Sequence, residues 1–98
     1  MTTELICEAI ERRALLEFQY HGRLRVVAPY CHGTSKTGRE LLRAVQVRGS
    51  SSSGYSRNGK LWNVAEMEDT RLTDETFKPS DPQYNPNDTA MKEIHCRI

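Results

Sequence analysis

The stretch LLEFQYHGRLRVVAPYCHGTSKTGRELLRA, residues 15–44, decides the fold. Leu16, Phe18 and Tyr20 recur at every second position, and Leu24, Val26 and Ala28 do the same beyond a His21-Gly22 pair. Two runs of period two across a tight turn predict an antiparallel hairpin, Leu15 to Tyr20 and Leu24 to Tyr30, with one face buried. Pro29 has no amide hydrogen, so it limits ladder pairing at the end of the second strand. His32 to Gly38 is a loop by composition. Arg39 to Val47 then resumes as a strand, with Leu42 and Ala44 on one face and Leu41, Arg43, Val45 and Val47 on the other. Two largely apolar faces predict a central strand in a curled sheet.

Upstream, Thr2 or Thr3 can cap a helix whose Leu5, Ile6, Ala9 and Ile10 share a face, with Glu4 in the first turn and Arg12-Arg13 at the end, as the helix dipole favours. Downstream, Gly49 to Gly54 is a Ser-rich connection that makes a long loop with Tyr55 to Gly59. It lacks the G-K-[ST] ending of a phosphate-binding loop. Lys60 to Met67 is the next predicted strand, with Trp62 and Val64 on one face, and Thr70 to Thr73 supplies a short last barrel strand around Leu72. Phe77 is an apolar plug, and the Pro- and Asn-rich segment to Asp88 orders where Tyr84 docks. Asn87 or Asp88 caps one helical turn through Met91, and Ile94, Cys96 and Ile98 alternate as a terminal strand added to an edge.

Ninety-eight residues make one domain, organised as a helix (1–14), a barrel (15–76) and a wrapping tail (77–98). The expected class is mainly β, α+β: a small Sm-like or SH3-like β-barrel with an N-terminal amphipathic helix and a C-terminal edge strand. No apolar run approaches the roughly 18 residues needed to span a bilayer, so a cytoplasmic protein with no membrane partner is expected. The odd set Cys7, Cys31 and Cys96 is not a disulfide framework, and reduced thiols are expected. Residues 1–60 carry ten Lys/Arg against five Asp/Glu, and residues 61–98 carry four against eight. That asymmetry permits a basic face for an anionic partner.

The basic residues Arg23, Arg25, Arg39, Arg43, Arg48, Arg57 and Lys60 spread over three strands and two loops. Alternate positions put Arg23 and Arg25 on one face, with Arg43 across from them. Guanidinium forks suit phosphate oxygens and can stack on Trp62 and Tyr55. The plainer alternative is a charge-mixed surface that pairs with Glu17, Glu40 and Glu66. Cys31-His32 and His95-Cys96 have zinc-ligand types, yet neighbours in extended chain point to opposite faces, so neither pair can supply both members to one ion. Ser50 to Ser53 lie in a glycine-flanked run unsuited to holding a nucleophile. The acidic Glu66, Glu68, Asp69, Asp74 and Glu75 lack calcium-loop spacing. No enzyme, metal or cofactor is expected.

A helix, then Tyr20 and Gly22, Arg25 and Pro29, a glycine loop ending at Gly38, Leu41-Leu42, Ala44 and a strand around Trp62-Val64 together resemble a WYL domain, the small Sm-like barrel of bacterial regulators. The resemblance covers most of Leu5 to Phe77. It implies a role in transcription regulation through nucleotide or nucleic-acid ligands bound by basic residues, here in a free-standing WYL-like domain. Where the family has its naming tripeptide this chain has Glu40-Leu41-Leu42, and two later arginine positions hold Lys60 and Glu66. The expected function is therefore a non-catalytic sensor module that binds a nucleotide, a single strand or another anion on a face built from Arg25, Arg43, Lys60, Trp62, Arg23 and Tyr20. The alternative is a protein-interaction module, either a homodimer paired through the Ile94 to Ile98 strand or an accessory chain for a separate DNA-binding subunit.

Overall fold

Helix α1, Thr2–Arg12, forms where the apolar residues share a stripe, and Ile6, Ala9 and Ile10 are fully buried beneath it. It stops at Arg13, which adopts the left-handed conformation (φ 56°) and returns its guanidinium to the Ile10 carbonyl at 2.8 Å. The chain is seen in a computed structural model that describes residues 2–49, 60–79 and 87–98. The predicted Ser-rich loop with Tyr55 and Arg57, and the docking of Tyr84, lie outside the described residues.

Strands β1 (Ala14–Tyr20) and β2 (Arg23–Thr34) make the predicted hairpin, registered Phe18 to Arg25 and Tyr20 to Arg23. His21 and Gly22 both have positive φ, 52° and 75°, as the type of two-residue turn matched to strand twist requires. Strands β3 (Glu40–Gly49), β4 (Lys60–Asn63) and β5 (Met67–Thr76) complete an antiparallel order β4-β3-β2-β1-β5. Strand β6 (Glu93–Arg97) pairs with β2. One edge of β2 is therefore shared in succession, first by β1 over Arg23 to Val27 and then by β6 over Cys31 to Thr34.

Four expectations need correction. Strand β2 runs on to Thr34, so only residues 35–39 connect it to β3. Its ladder tolerates Pro29 because the register shifts between Pro29 and Cys31, a bulge where no amide hydrogen is required. The predicted strand Lys60 to Met67 is broken by a 3₁₀ turn, Val64–Glu66, which Asn63 caps by accepting the Ala65 amide at 3.2 Å. Strand β5 then covers all of Met67–Thr76 rather than Thr70 to Thr73. Finally, the thiols are not all reduced, because Cys7 of α1 is joined to Cys96 of β6.

The main core lies between α1 and the sheet, around Ile6, Ile10, Leu16, Phe18, Leu42 and Trp62. A second cluster, Leu15, Val26, Ala28 and Tyr30, fills the opposite face. Phe77 plugs it as expected, stacking on Tyr30 at 5.7 Å and donating its amide to the Arg13 carbonyl at 2.8 Å. Before β6, Asp88 organises a turn by accepting the Ala90 amide on its carboxylate and the Met91 amide on its carbonyl.

Candidate anion site at Arg25

Alternation places Phe18, Tyr20, Arg25, Gln46 and Trp62 toward one end of the main core. Arg25 sits across β2 from Phe18 on one side and Gly49 on the other. Gly49 has φ 103°, and a Cβ there would lie 2.3 Å from the Leu24 carbonyl oxygen. This close approach of β3 to β2 helps shut Arg25 in, leaving the residue 5% exposed. Its guanidinium lies 5.6 Å from the Trp62 ring and 5.8 Å from the Tyr20 ring. Lys60 reaches the same indole, its Nζ 5.2 Å from the ring centre. Two cations thus lie against one indole ring.

The hydrogen bonding of Arg25 is thin for so enclosed a charge. One terminal nitrogen donates to Gln46 Oε1 and the other to the Tyr20 carbonyl, both at 3.3 Å, while the Nε–H has no partner among the described residues. Among the described residues no carboxylate pairs with it. Burial and the neighbouring charge of Arg23 lower its pKa, although a guanidinium keeps its proton. Arg23 itself is exposed and two residues away on the same strand. Glu66, beside Tyr20, is held by His21 Nε2 at 3.0 Å and accepts from the Tyr20 hydroxyl at 3.4 Å. Those contacts, the His21 hydrogen bond foremost, keep the Glu66 carboxyl below its ordinary pKa. Tyr20 is fixed further by the Asn63 amide, which donates to its oxygen at 3.2 Å, and by stacking on His21 at 4.3 Å. Burial, the largest influence, raises the phenol's pKa.

The structure thus brings together Tyr20, Arg23, Arg25, Lys60 and Trp62 and separates Arg43 from them. Arg43 stands on the opposite face of β3 from Leu42 and Ala44, and it is tied to Asp88 by two hydrogen bonds, Nε to Oδ2 at 2.7 Å and Nη2 to Oδ1 at 3.1 Å. The expected common face for Arg25 and Arg43 is therefore corrected. Trp62 is corrected in role: it is 1% exposed and donates its indole N–H to the Ala44 carbonyl at 3.2 Å, so it supports cations from within and offers no face to an incoming base. Gln46 was missed. It extends the buried series Leu42, Ala44, Gln46, and a polar residue in that alternation is the signal that marks it.

The residues of the zinc reading divide as alternation predicts. His32 of β2 and His95 of β6 approach to 5.2 Å between ring centres, Cys96 turns to Cys7, and Cys31 turns to Met91. Glu40 lies between the imidazoles, its Oε2 3.5 Å from His32 Nε2 and 3.3 Å from His95 Nε2, and that oxygen has no hydrogen-bond partner among the described residues. Among the described residues no group of three His, Cys, Asp or Glu side chains is arranged to hold a metal ion. None of the helices described is long and apolar enough to cross a membrane.

Comparison with protein-family models, with curated proteins and with solved structures returned no match in any of the three.

Proposed function

We propose that the chain is a non-catalytic, WYL-like binding module of a cytosolic regulatory system, and that it holds an anionic ligand, a nucleotide or a short single strand, at the end of the sheet marked by Arg25. One observation carries the reading: a guanidinium buried against two aromatic rings has no carboxylate partner among the described residues and an unsatisfied N–H. Enclosing an uncompensated charge costs stability, and an arriving phosphate or carboxylate would offset that cost with charge-assisted hydrogen bonds. Lys60 and Arg23 add positive charge beside it. Tyr20, half-buried, supplies the ring edge at which a ligand's planar part would rest, while Trp62 holds the cations in place.

The test is a fluorescence titration with a labelled single-stranded oligonucleotide and with a nucleoside triphosphate over a range of salt. Binding by phosphate neutralisation weakens linearly in log salt, by roughly 0.7 per phosphate contacted on a single strand. Lys60→Ala and Arg23→Ala should each lower affinity and flatten that slope. Affinity that ignores salt, or that survives both changes intact, would remove the reading. A second reading, docking of another protein, rests on β4, an edge strand whose Leu61 is 41% exposed. Salt-tolerant binding of a partner strand there would favour it.

A further inference from the structure

We propose that Gln46 is the positioning residue of the anion site, a neutral acceptor that holds the Arg25 fork in place and leaves its charge for a ligand to answer. The inference rests on the anion-binding reading above and adds the residue that keeps Arg25 receptive.

Gln46 follows Leu42 and Ala44 in the buried series of β3 and is 4% exposed. A bulge in the β2–β3 ladder brings it there: Val26 pairs with Arg48 and Val27 with Gln46, so Val47 is the extra residue. From that place Gln46 Oε1 accepts from Arg25 Nη1 at 3.3 Å. Its Nε2 donates to the Arg48 carbonyl at 3.3 Å, and this second bond sets the polarity of the amide. A flipped amide would turn its NH2 toward the guanidinium and its oxygen toward the carbonyl, replacing two hydrogen bonds by two repulsions. The Tyr20 carbonyl holds the other terminal nitrogen, so both prongs of the fork are placed. The Nε–H is the donor left over among the described residues.

Glutamate matches glutamine in length and branching, so a carboxylate at this position would reach the same nitrogen and neutralise the charge inside the fold. An internal countercharge competes with an external one. Glutamine supplies the acceptor without the charge, and residues 50–59, which continue the chain from Gly49 to Lys60, include no Asp or Glu. The site therefore takes an ionised oxyanion, whose oxygen accepts the Nε–H and whose charge answers the guanidinium.

The experiment repeats the salt titration with the labelled single-stranded oligonucleotide on two variants of the intact chain, and follows the Arg25 Nε–H in nitrogen-15 spectra. In the parent, the oligonucleotide should shift that resonance. Gln46→Glu should weaken binding roughly tenfold or more, lower the salt slope by roughly 0.7, one phosphate contact, and leave the resonance unmoved by the oligonucleotide. Gln46→Met, which removes the acceptor and adds no charge, should weaken binding several-fold and keep the parent slope. A merely structural residue would change affinity alike in both variants and the slope in neither. Parent affinity and slope in Gln46→Glu, or lost affinity with an unchanged slope, would overturn the role of Gln46 while the site stands. Should Gln46→Glu fail to fold, undiminished affinity in Gln46→Met overturns the proposal by itself. An Arg25 resonance in the parent that ignores the oligonucleotide would remove the site, and this inference with it.

Discussion

Arg25 and Arg43 lie on adjacent strands of one sheet, and their surroundings differ in one respect above all. Arg43, with its side chain 27% exposed, meets the buried carboxylate of Asp88 in a two-pronged pair. Arg25 is more enclosed and, among the described residues, hydrogen-bonds to neutral oxygens at 3.3 Å. Burial alone would raise the pKa of Asp88, yet the Arg43 hydrogen bond, the Ala90 amide and the Arg43 charge together bring it below the ordinary carboxylate value. At Arg43 the protein has supplied the countercharge, so the residue is structural, pinning the turn before β6 to β3. At Arg25 no carboxylate among the described residues supplies a countercharge, and in the proposed function the ligand supplies it.

The contrast breaks most sharply at Asp88. Asp88→Ala should cost about 3 kcal/mol, since it removes both hydrogen bonds that the partly buried Arg43 guanidinium makes to this carboxylate and also the acceptor for the Ala90 amide. Thermal unfolding of the variant against the parent measures it, and a change below about 0.5 kcal/mol would show that the pair adds nothing. Arg25→Met should act in the other direction and by less. Removing an unpaired charge while keeping an unbranched, apolar side chain in contact with Trp62 and Tyr20 should leave stability unchanged or raise it by about 1 kcal/mol, with anion binding lost. Strong destabilisation by Arg25→Met would make Arg25 a second structural arginine and erase the comparison.

The sequence made some of this legible and hid the rest for definite reasons. Period-two alternation located the β1–β2 hairpin and the central position of β3, and the helical stripe located α1, because each signal is local to its own element. Arg25, Lys60, Trp62 and Tyr20 were named correctly as neighbours. Arg43 was not, because parity along β3 is relative to β2, and the bulges between Val26 and Val27 and between Pro29 and Cys31 reset it. Its partner Asp88 is 45 residues away and carries no spacing signal. The Cys7–Cys96 bond was hidden likewise, since the cysteines come together only when β6 returns beside α1. The split of β4 from β5 rests on one side-chain cap at Asn63, too small a feature to show in a hydrophobic pattern.

A third buried group extends the comparison, because its charge is optional where those of the arginines are fixed. His32 is fully enclosed among α1, β2, β3 and β6. Its Nδ1–H donates to the Leu41 carbonyl at 2.8 Å, which leaves Nε2 to accept from Thr3 Oγ1 at 3.4 Å, with Glu40 and His95 facing it. Burial lowers its pKa from 6.5 and outweighs the Leu41 hydrogen bond and the Glu40 charge, which act to raise it. A depressed histidine pKa stabilises the fold fully above the unfolded value of 6.5, and that contribution falls away as pH drops through the lower folded value. Asp88 follows the same sign in a different window: its contribution is complete above 3.8 and is lost below it. Unfolding free energy should therefore decline gently as pH falls below 6.5 and again below 3.8. His32→Asn should remove the upper step and leave the lower one, while Asp88→Asn should do the reverse. A wild-type profile that stays flat below 6.5 would mean that His32 accepts its proton without strain, with Glu40 as its counterion inside the fold.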